Sequence, residues 1–275
     1  MRRFLFAVAV CSVFTVSIFA DPVSRVDLDW QKGSLSLSVV HKVDDFTPEE
    51  RSRLRRETFD NLGERFISAA GDLRISSSLS LQDWINRNPR RISDLLEALK
   101  DIKPVSSSFS REFGELSFTF QLALYPDLAA VFLDHSRGYT PAPSLFHAAS
   151  ANFTGLLIYA AESYPVHGEE DEESPLVPVL FPRIWDEEMN IVFEPEMMNR
   201  EDILDRGPVG YFRSLSSEAL GERVGPNPVR IAARGLFGIA PSDPIITRSD
   251  ALSLLNSPRG REILQQGKIA FVMGE

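Results

Sequence analysis

Gly33-Ser34-Leu35-Ser36-Leu37-Ser38-Val39-Val40 is followed, a few residues on, by Thr47-Pro48-Glu49-Glu50, and the change of rhythm between these stretches decides the fold class. Serine alternates with Leu35, Leu37 and Val39, the period-two pattern of a strand with one buried face. In the second stretch Thr47 can cap the first free amides, Pro48 suits the first helical position, and Glu50 sits where a capping box wants an acid. Leu54, Thr58, Leu62, Phe66 and Ala69/Ala70 then recur at helical spacing, and Gly71 is placed to end the run. A half-buried strand feeding an amphipathic helix predicts helices packed on one face of a sheet.

Outward from there the pattern persists. Ser80-Leu81-Gln82-Asp83 predicts a cap and a short helix that Asn88-Pro89 must close. Ser93 opens another, with Leu95, Leu96, Leu99 and Ile102 inward and Pro104 beyond its end. After Gly114, the residues Leu116, Phe118, Phe120, Leu122 and Leu124 alternate with small or polar partners, predicting a long amphipathic strand. Asp127 to Asp134 reads as a short helix. Residues 21–140 are therefore expected to form an N-terminal α+β domain, a helix-on-sheet layer, ending in the linker Gly138-Tyr139-Thr140-Pro141-Ala142-Pro143.

Beyond the linker the texture changes. Phe153 to Ala160 is a continuous apolar run, expected to be a buried strand. Leu176 to Trp185 and Asn190 to Phe193 predict a hairpin across the acidic turn Asp186-Glu187-Glu188-Met189. Val229 to Phe237 predicts one strand. Ser249 and Asp250 start a helix, Ser257-Pro258 a second that Gly267 ends, and Lys268 to Met273 a closing strand. Residues 141–275 are thus expected to be a β-rich α+β C-terminal domain.

The first twenty residues read differently. Arg2 and Arg3 precede an apolar run from Phe4 to Phe19, and Ala20 offers a small residue for cleavage. That order predicts a secretory signal peptide over 1–20 and no stable membrane span once it is removed. Cys11, the only cysteine, is either an apolar filler of that run or a lipid site. Without it the mature protein has no thiol, hence no disulfide and no thiolate chemistry. The whole chain of 275 residues carries a formal charge of −10, and loss of Arg2 and Arg3 makes the mature protein more negative still. Such a field repels phosphates, so nucleic acid is not an expected partner.

Gly-x-Ser-x-Gly, His-Glu-x-x-His and Gly-x-Gly-x-x-Gly do not occur in the sequence. Gly260 to Lys268 misses both the spacing and the hydroxyl of a phosphate loop. His41, His135, His147 and His167 show no paired spacing and sit nearer to turns or linkers than to apolar faces. The acidic run Glu169 to Glu173 reads as a solvated loop tip, lacking the spacing of a calcium loop. Asp186, Glu187 and Glu188 would serve acid–base chemistry only if one were buried; three acids in a turn are expected to face water. Arg51, Arg53, Arg55 and Arg56 form the one notable basic group, either a solvated helix face or a docking patch for an acidic partner. No catalytic, cofactor-binding or metal residues are assigned, and no cofactor is expected.

Five blocks carry a likeness to a known family, in the family's order. They are Phe153 to Ala160, Phe181-Pro182-Arg183-Ile184-Trp185-Asp186-Glu187-Glu188, Pro228 to Gly238, Asp243-Pro244-Ile245-Ile246 with Asp250-Ala251, and Gly267 to Val272. Together they resemble the exported envelope proteins that include the periplasmic flagellar T-ring assembly protein and small outer-membrane lipoproteins. After Tyr159-Ala160 this chain continues Ala161-Glu162 where that family continues Arg-Gly. The resemblance implies a non-enzymatic α+β protein, periplasmic or outer-membrane-associated, that works through contacts with other envelope proteins in assembly or scaffolding. The alternative is a periplasmic small-molecule or glycan-binding module using Trp30, Trp84, Trp185 or Tyr211 as stacking platforms. A third possibility is an envelope hydrolase, which requires folding to gather histidines with acids in a cleft.

Overall fold

A computed structural model describes residues 21–43, 46–100, 102, 104–142 and 152–274. Residues 1–20, on which the expected signal peptide and Cys11 fall, and His147 lie outside the described residues. The architecture is α+β, built on two main hydrophobic cores, one in each half of the chain.

In the first half, β1 (Val23–Asp29) and β2 (Ser34–Lys42) form a hairpin that turns through Gly33 in the left-handed region. There follow α1 (Pro48–Asp60), α2 (Leu62–Ala70), β3 (Arg74–Ser76), β4 (Leu79–Ser80), α3 (Leu81–Arg87) and α4 (Ile92–Lys100). Then come β5 (Pro104–Ser110), β6 (Glu115–Ala123) and the short α5 (Ala129–Phe132). The main sheet is antiparallel in the order β1-β2-β6-β5. Leu35, Leu37 and Val39 of β2 lie in register with Leu122, Phe120 and Phe118 of β6, all buried under the helices. Burying each such side chain contributes roughly 1.5–3 kcal/mol. The opposite face stays open and carries Ser36, Ser38, Ser117 and Thr119. Thr47 caps α1 and Ser80 closes a full capping box with Asp83 on α3.

The second half runs β7 (Leu156–Ala160), β8 (Ser163–Pro165), β9 (Glu173–Pro175), β10 (Ile184–Asp186), β11 (Ile191–Phe193) and α6 (Arg200–Arg206). It continues with β12 (Gly210–Phe212), α7 (Glu218–Val224), β13 (Val229–Ala232), β14 (Gly235–Phe237) and β15 (Asp243–Ile246). Helices α8 (Arg248–Asn256) and α9 (Pro258–Gln265) precede the last strand, β16 (Ile269–Met273). One sheet, β12-β16-β7-β13, is parallel throughout. A second, β11-β10-β15-β14, is mixed. The parallel sheet is covered on both faces at its centre, whereas Tyr159 of β7 and Arg230 and Ala232 of the edge strand β13 are exposed. Leu157, Ala270 and Val272 meet Leu220 and Val224 of α7, while Leu156, Ile158, Ile269 and Phe271 face the larger core.

Several sequence expectations need correction. The predicted helix from Thr47 to Gly71 is two helices, broken at Asn61, whose ψ of 11° leaves the helical range. Val229 to Phe237 is two strands in different sheets, because the chain leaves β13 at Ala233 and turns into β14. The first arm of the predicted hairpin is a strand only from Ile184; residues 176–183 form an irregular strap instead. Pro178 and Pro182 deprive that segment of ladder donors. The short elements β8, β9, β12, α6 and α7 had no sequence signal strong enough to announce them.

Candidate functional site

The chemistry-bearing residues picked out in the sequence are dispersed. His41 is not near a turn but buried on β2, its Nε2 2.6 Å from Thr58 Oγ1. Thr58 gives its hydroxyl proton to Leu54 O, so the ring donates Nε2–H to Thr58. Burial holds its pKa below the ordinary histidine value. His135 contacts the carbonyl of Met198, and exposed His167 lies beside Phe237. Among the described residues no group of histidines, cysteines and acids gathers as for a metal ion. Of the acids Glu169 to Glu173, the first four occupy the exposed turn between β8 and β9 and Glu173 opens β9, paired with Pro165.

The Asp186 turn departs from expectation. Asp186 is buried rather than solvated, and its carboxylate accepts from the amides of Glu188 and Asn190 at 3.0 and 2.8 Å. It also faces Arg248 at 3.4 Å, which Glu188 holds as well. These acids clamp the start of α8 onto the β10–β11 hairpin. On α1, Arg53 is paired with Glu50 and Glu57, whereas Arg51 reaches Ser107 and Arg55 lies over the Phe59 ring.

What the fold does gather is the junction between the halves. Trp30, at the tip of the β1–β2 hairpin, meets Tyr211 of β12 edge-on, ring centres 5.6 Å apart. The Tyr211 hydroxyl donates to Val179 O at 2.9 Å and accepts from Val179 N at 3.1 Å, fixing the strap. The next two strap residues pair with the first half: Leu180 N donates to Arg74 O and Phe181 N to Ile75 O, at 3.1 and 2.9 Å. Tyr125 donates to Leu180 O, and Leu180 itself is buried in the N-terminal core. Burial pushes both tyrosine hydroxyls well above their usual pKa.

Two glycines make the approach possible. Gly207 has φ +72°, and a Cβ there would lie 2.6 Å from the Tyr125 ring. Gly238, at φ +115°, packs directly on Ser77 of the β3–β4 turn. Beside it Ala240 N donates to Ser77 O at 2.8 Å, and Ser77 also bonds the buried carboxylate of Asp243. Asp243 further accepts from Arg183 N, Ser242 and the Trp185 indole. Burial outweighs these donors and raises its pKa.

An open cleft of about 450 Å³ lies on one side of Trp30, lined among others by Lys32, Tyr125, Arg206, Phe212 and Arg223. Arg223 gives its donors to the carbonyls of Arg206, Gly207 and Ile269, and burial lowers its pKa to about 10. Two of those carbonyls end α6, so Arg223 acts as that helix's C-terminal cap. Of the four proposed stacking residues, only Trp30 and Tyr211 come together. Trp84 packs on Phe132, and Trp185 on Phe237.

Residues 22–131 match the family model described as Treponema pallidum Tp0624, N-terminal domain, and residues 155–275 match Treponema pallidum Tp0624, second domain. The chain is similar to these two domains, in that order. No curated protein matches it. The junction described above therefore joins a Tp0624 N-terminal-like half to a Tp0624 second-domain-like half.

Proposed function

We propose that this chain is a non-enzymatic, exported envelope protein that acts as an assembly or scaffold component through protein contacts. The observation carrying this reading is the junction: main-chain pairing, an aromatic wedge and two close-approach glycines hold the halves in one arrangement. A fixed relation between two domains suits a part that positions others. The Arg2–Ala20 segment supports export, and the resemblance to T-ring and outer-membrane proteins supports an envelope setting. No helix among the described residues is long and apolar enough to cross a membrane. Crosslinking in the envelope fraction followed by recovery of the tagged chain tests the proposal. Defined protein partners are expected; recovery of none, or a native chain starting at Met1 in the cytosol, overturns it.

A second reading has one observation in its favour: Trp30 lines an open cleft beside Lys32 and Arg206. A thermal-shift screen against cell-wall fragments separates the two, since only a binding module gains stability from such ligands.

A further inference from the structure

The N-terminal sheet has one face that the helices do not fully cover. Ser107 and Phe109 of β5 pair with Phe118 and Leu116 of β6, so they point to the same side as those two core residues. Phe118 and Leu116 are each only 1% exposed, yet Ser107 is exposed and Phe109 half-buried. The helical layer therefore stops short of β5. Beyond this uncovered strip runs an open groove of about 590 Å³, lined by Phe46, Pro48, Arg51, Ser52 and Arg55. Phe46 stacks flat on Phe109, ring centres 4.1 Å apart, while remaining 43% exposed.

Strand β5 is also a sheet edge: among the described residues it pairs with β6 alone. Natural edges are usually blunted by lysine, proline or a bulge. Here Pro104 and a bulge protect only the start, and Ser106-Ser107-Ser108-Phe109-Ser110 runs on without a charged side chain.

Among the described residues that line the groove there are two cations and no acid. Arg51 and Arg55 line the groove, and among the described residues neither has a carboxylate within ion-pair distance; Arg51 meets only Ser107, at 3.5 Å. Four helical residues rise about 6 Å. Two strand residues on one face span about 6.6 Å. Alternate acids of an extended chain can thus match both arginines. A second copy fits less well. Pairing two β5 strands about a twofold at Ser107 would set one Arg51 against the other, an unfavourable like-charge contact.

We propose that β5 and the groove beside it accept an extended acidic segment of a partner protein as a fifth strand, with alternate carboxylates on Arg51 and Arg55. Main-chain bonds to the edge supply affinity and the two arginines select charge. The assignment rests on reading the chain as a protein-contact component, and it names the surface used.

The test mixes the full chain with two short synthetic peptides, one alternating Glu with Val and the other Lys with Val. Binding is read by anisotropy and its place by hydrogen–deuterium exchange. The glutamate peptide is expected to slow exchange over residues 104–110. The double variant Arg51→Glu/Arg55→Glu should weaken it at least tenfold and let the lysine peptide bind. Arg51→Gln, which keeps an uncharged donor, should give an intermediate loss should the double variant fold poorly. Equal binding of both peptides, protection elsewhere, no binding, or protection of β5 that grows with the chain's own concentration each overturns the proposal. If envelope crosslinking recovers partners while β5 stays unprotected, this inference fails and the scaffold reading survives. If the glutamate peptide binds but crosslinking recovers no partner, the reverse holds.

Discussion

The two halves solve the same problem, burying a four-stranded sheet, in opposite ways. The N-terminal sheet is antiparallel, covered on one face and open on the other, so β2 and β6 alternate buried and half-exposed residues along their length. In the C-terminal parallel sheet the central strand β16 is covered on both faces and buried at every position from Ile269 to Met273. Parallel strands need crossovers that place helices on the faces, and that removes the polar side. Strand β2 therefore tolerates change at every second residue and β16 at almost none.

A serine scan breaks or sharpens that contrast with the largest expected effect. Along β16 each substitution from Ile269 to Val272 should lower stability in urea unfolding, with Phe271 worst, at about 3–5 kcal/mol for loss of a buried aromatic side chain. Along β2 the losses should alternate: large at Leu35, Leu37 and Val39, and within about 0.5 kcal/mol for Ser36→Ala or Ser38→Ala on the open face. A β2 profile without alternation would contradict the one-sided burial described here.

Next in size is the coupling of the halves. Tyr211→Phe removes a hydroxyl that satisfies both the amide and the carbonyl of buried Val179. Leaving those groups unpaired should cost about 1–3 kcal/mol. Calorimetry should then show one unfolding transition of the parent chain broadening or splitting, because the strap loses its anchor. Gly207→Ala acts at the same place from the other side, forcing Tyr125 to move and straining a positive φ. An unchanged transition in both variants would mean that the junction does not couple the halves.

The same contrast explains what was legible in the sequence. Strict alternation in 34–40 and 116–124, with Thr47 and Ser80 as caps, was enough to place β2, β6, α1 and α3 because only one face is buried. In the second half, Val229 to Phe237 reads as one apolar run, and nothing in that run says that β13 and β14 belong to different sheets. Residues 176–183 read as a strand because Leu176, Val179 and Leu180 are apolar, although Pro178 and Pro182 argue against a ladder. The junction was invisible for another reason: Gly207 meets Tyr125 and Gly238 meets Ser77 across long sequence separations. The inward position of His41 does have a signal in the sequence. It continues the phase of Leu35, Leu37 and Val39, which puts position 41 on the inward face.

A smaller effect should distinguish the halves by the sign of their response to pH. At the junction, burial raises the pKa of Asp243 above the usual 3.8, so the folded chain holds its proton longer than the unfolded one. Stability from this group is complete below 3.8 and falls as pH rises through the raised value. Asp243→Asn should remove that downward slope, visible as a flatter curve of unfolding free energy against pH in the acid range. A slope unchanged by the substitution would place the titration elsewhere.

His41 should act in the opposite direction and within the N-terminal half. Its folded pKa is lowered, first by burial, from a usual value of 6.5. Arg65 and Arg53 push the same way, while Glu57 and Glu50 oppose them. Below 6.5 the unfolded chain therefore takes up a proton that the folded chain refuses. Stability is full above that pH and is lost as pH falls toward the lowered value. Protonation would add a charge against the Phe118 ring, 6.0 Å away. His41→Gln retains a donor for Thr58 but cannot titrate, so it should lose some stability at neutral pH and flatten the curve below pH 6.5. Because Trp84 lies in the same core, its fluorescence should report this acid-induced loss, whereas Trp185 beside Phe237 should not. If the Trp185 environment responds to the His41 proton as strongly as that of Trp84, the junction transmits between the halves more than it separates them.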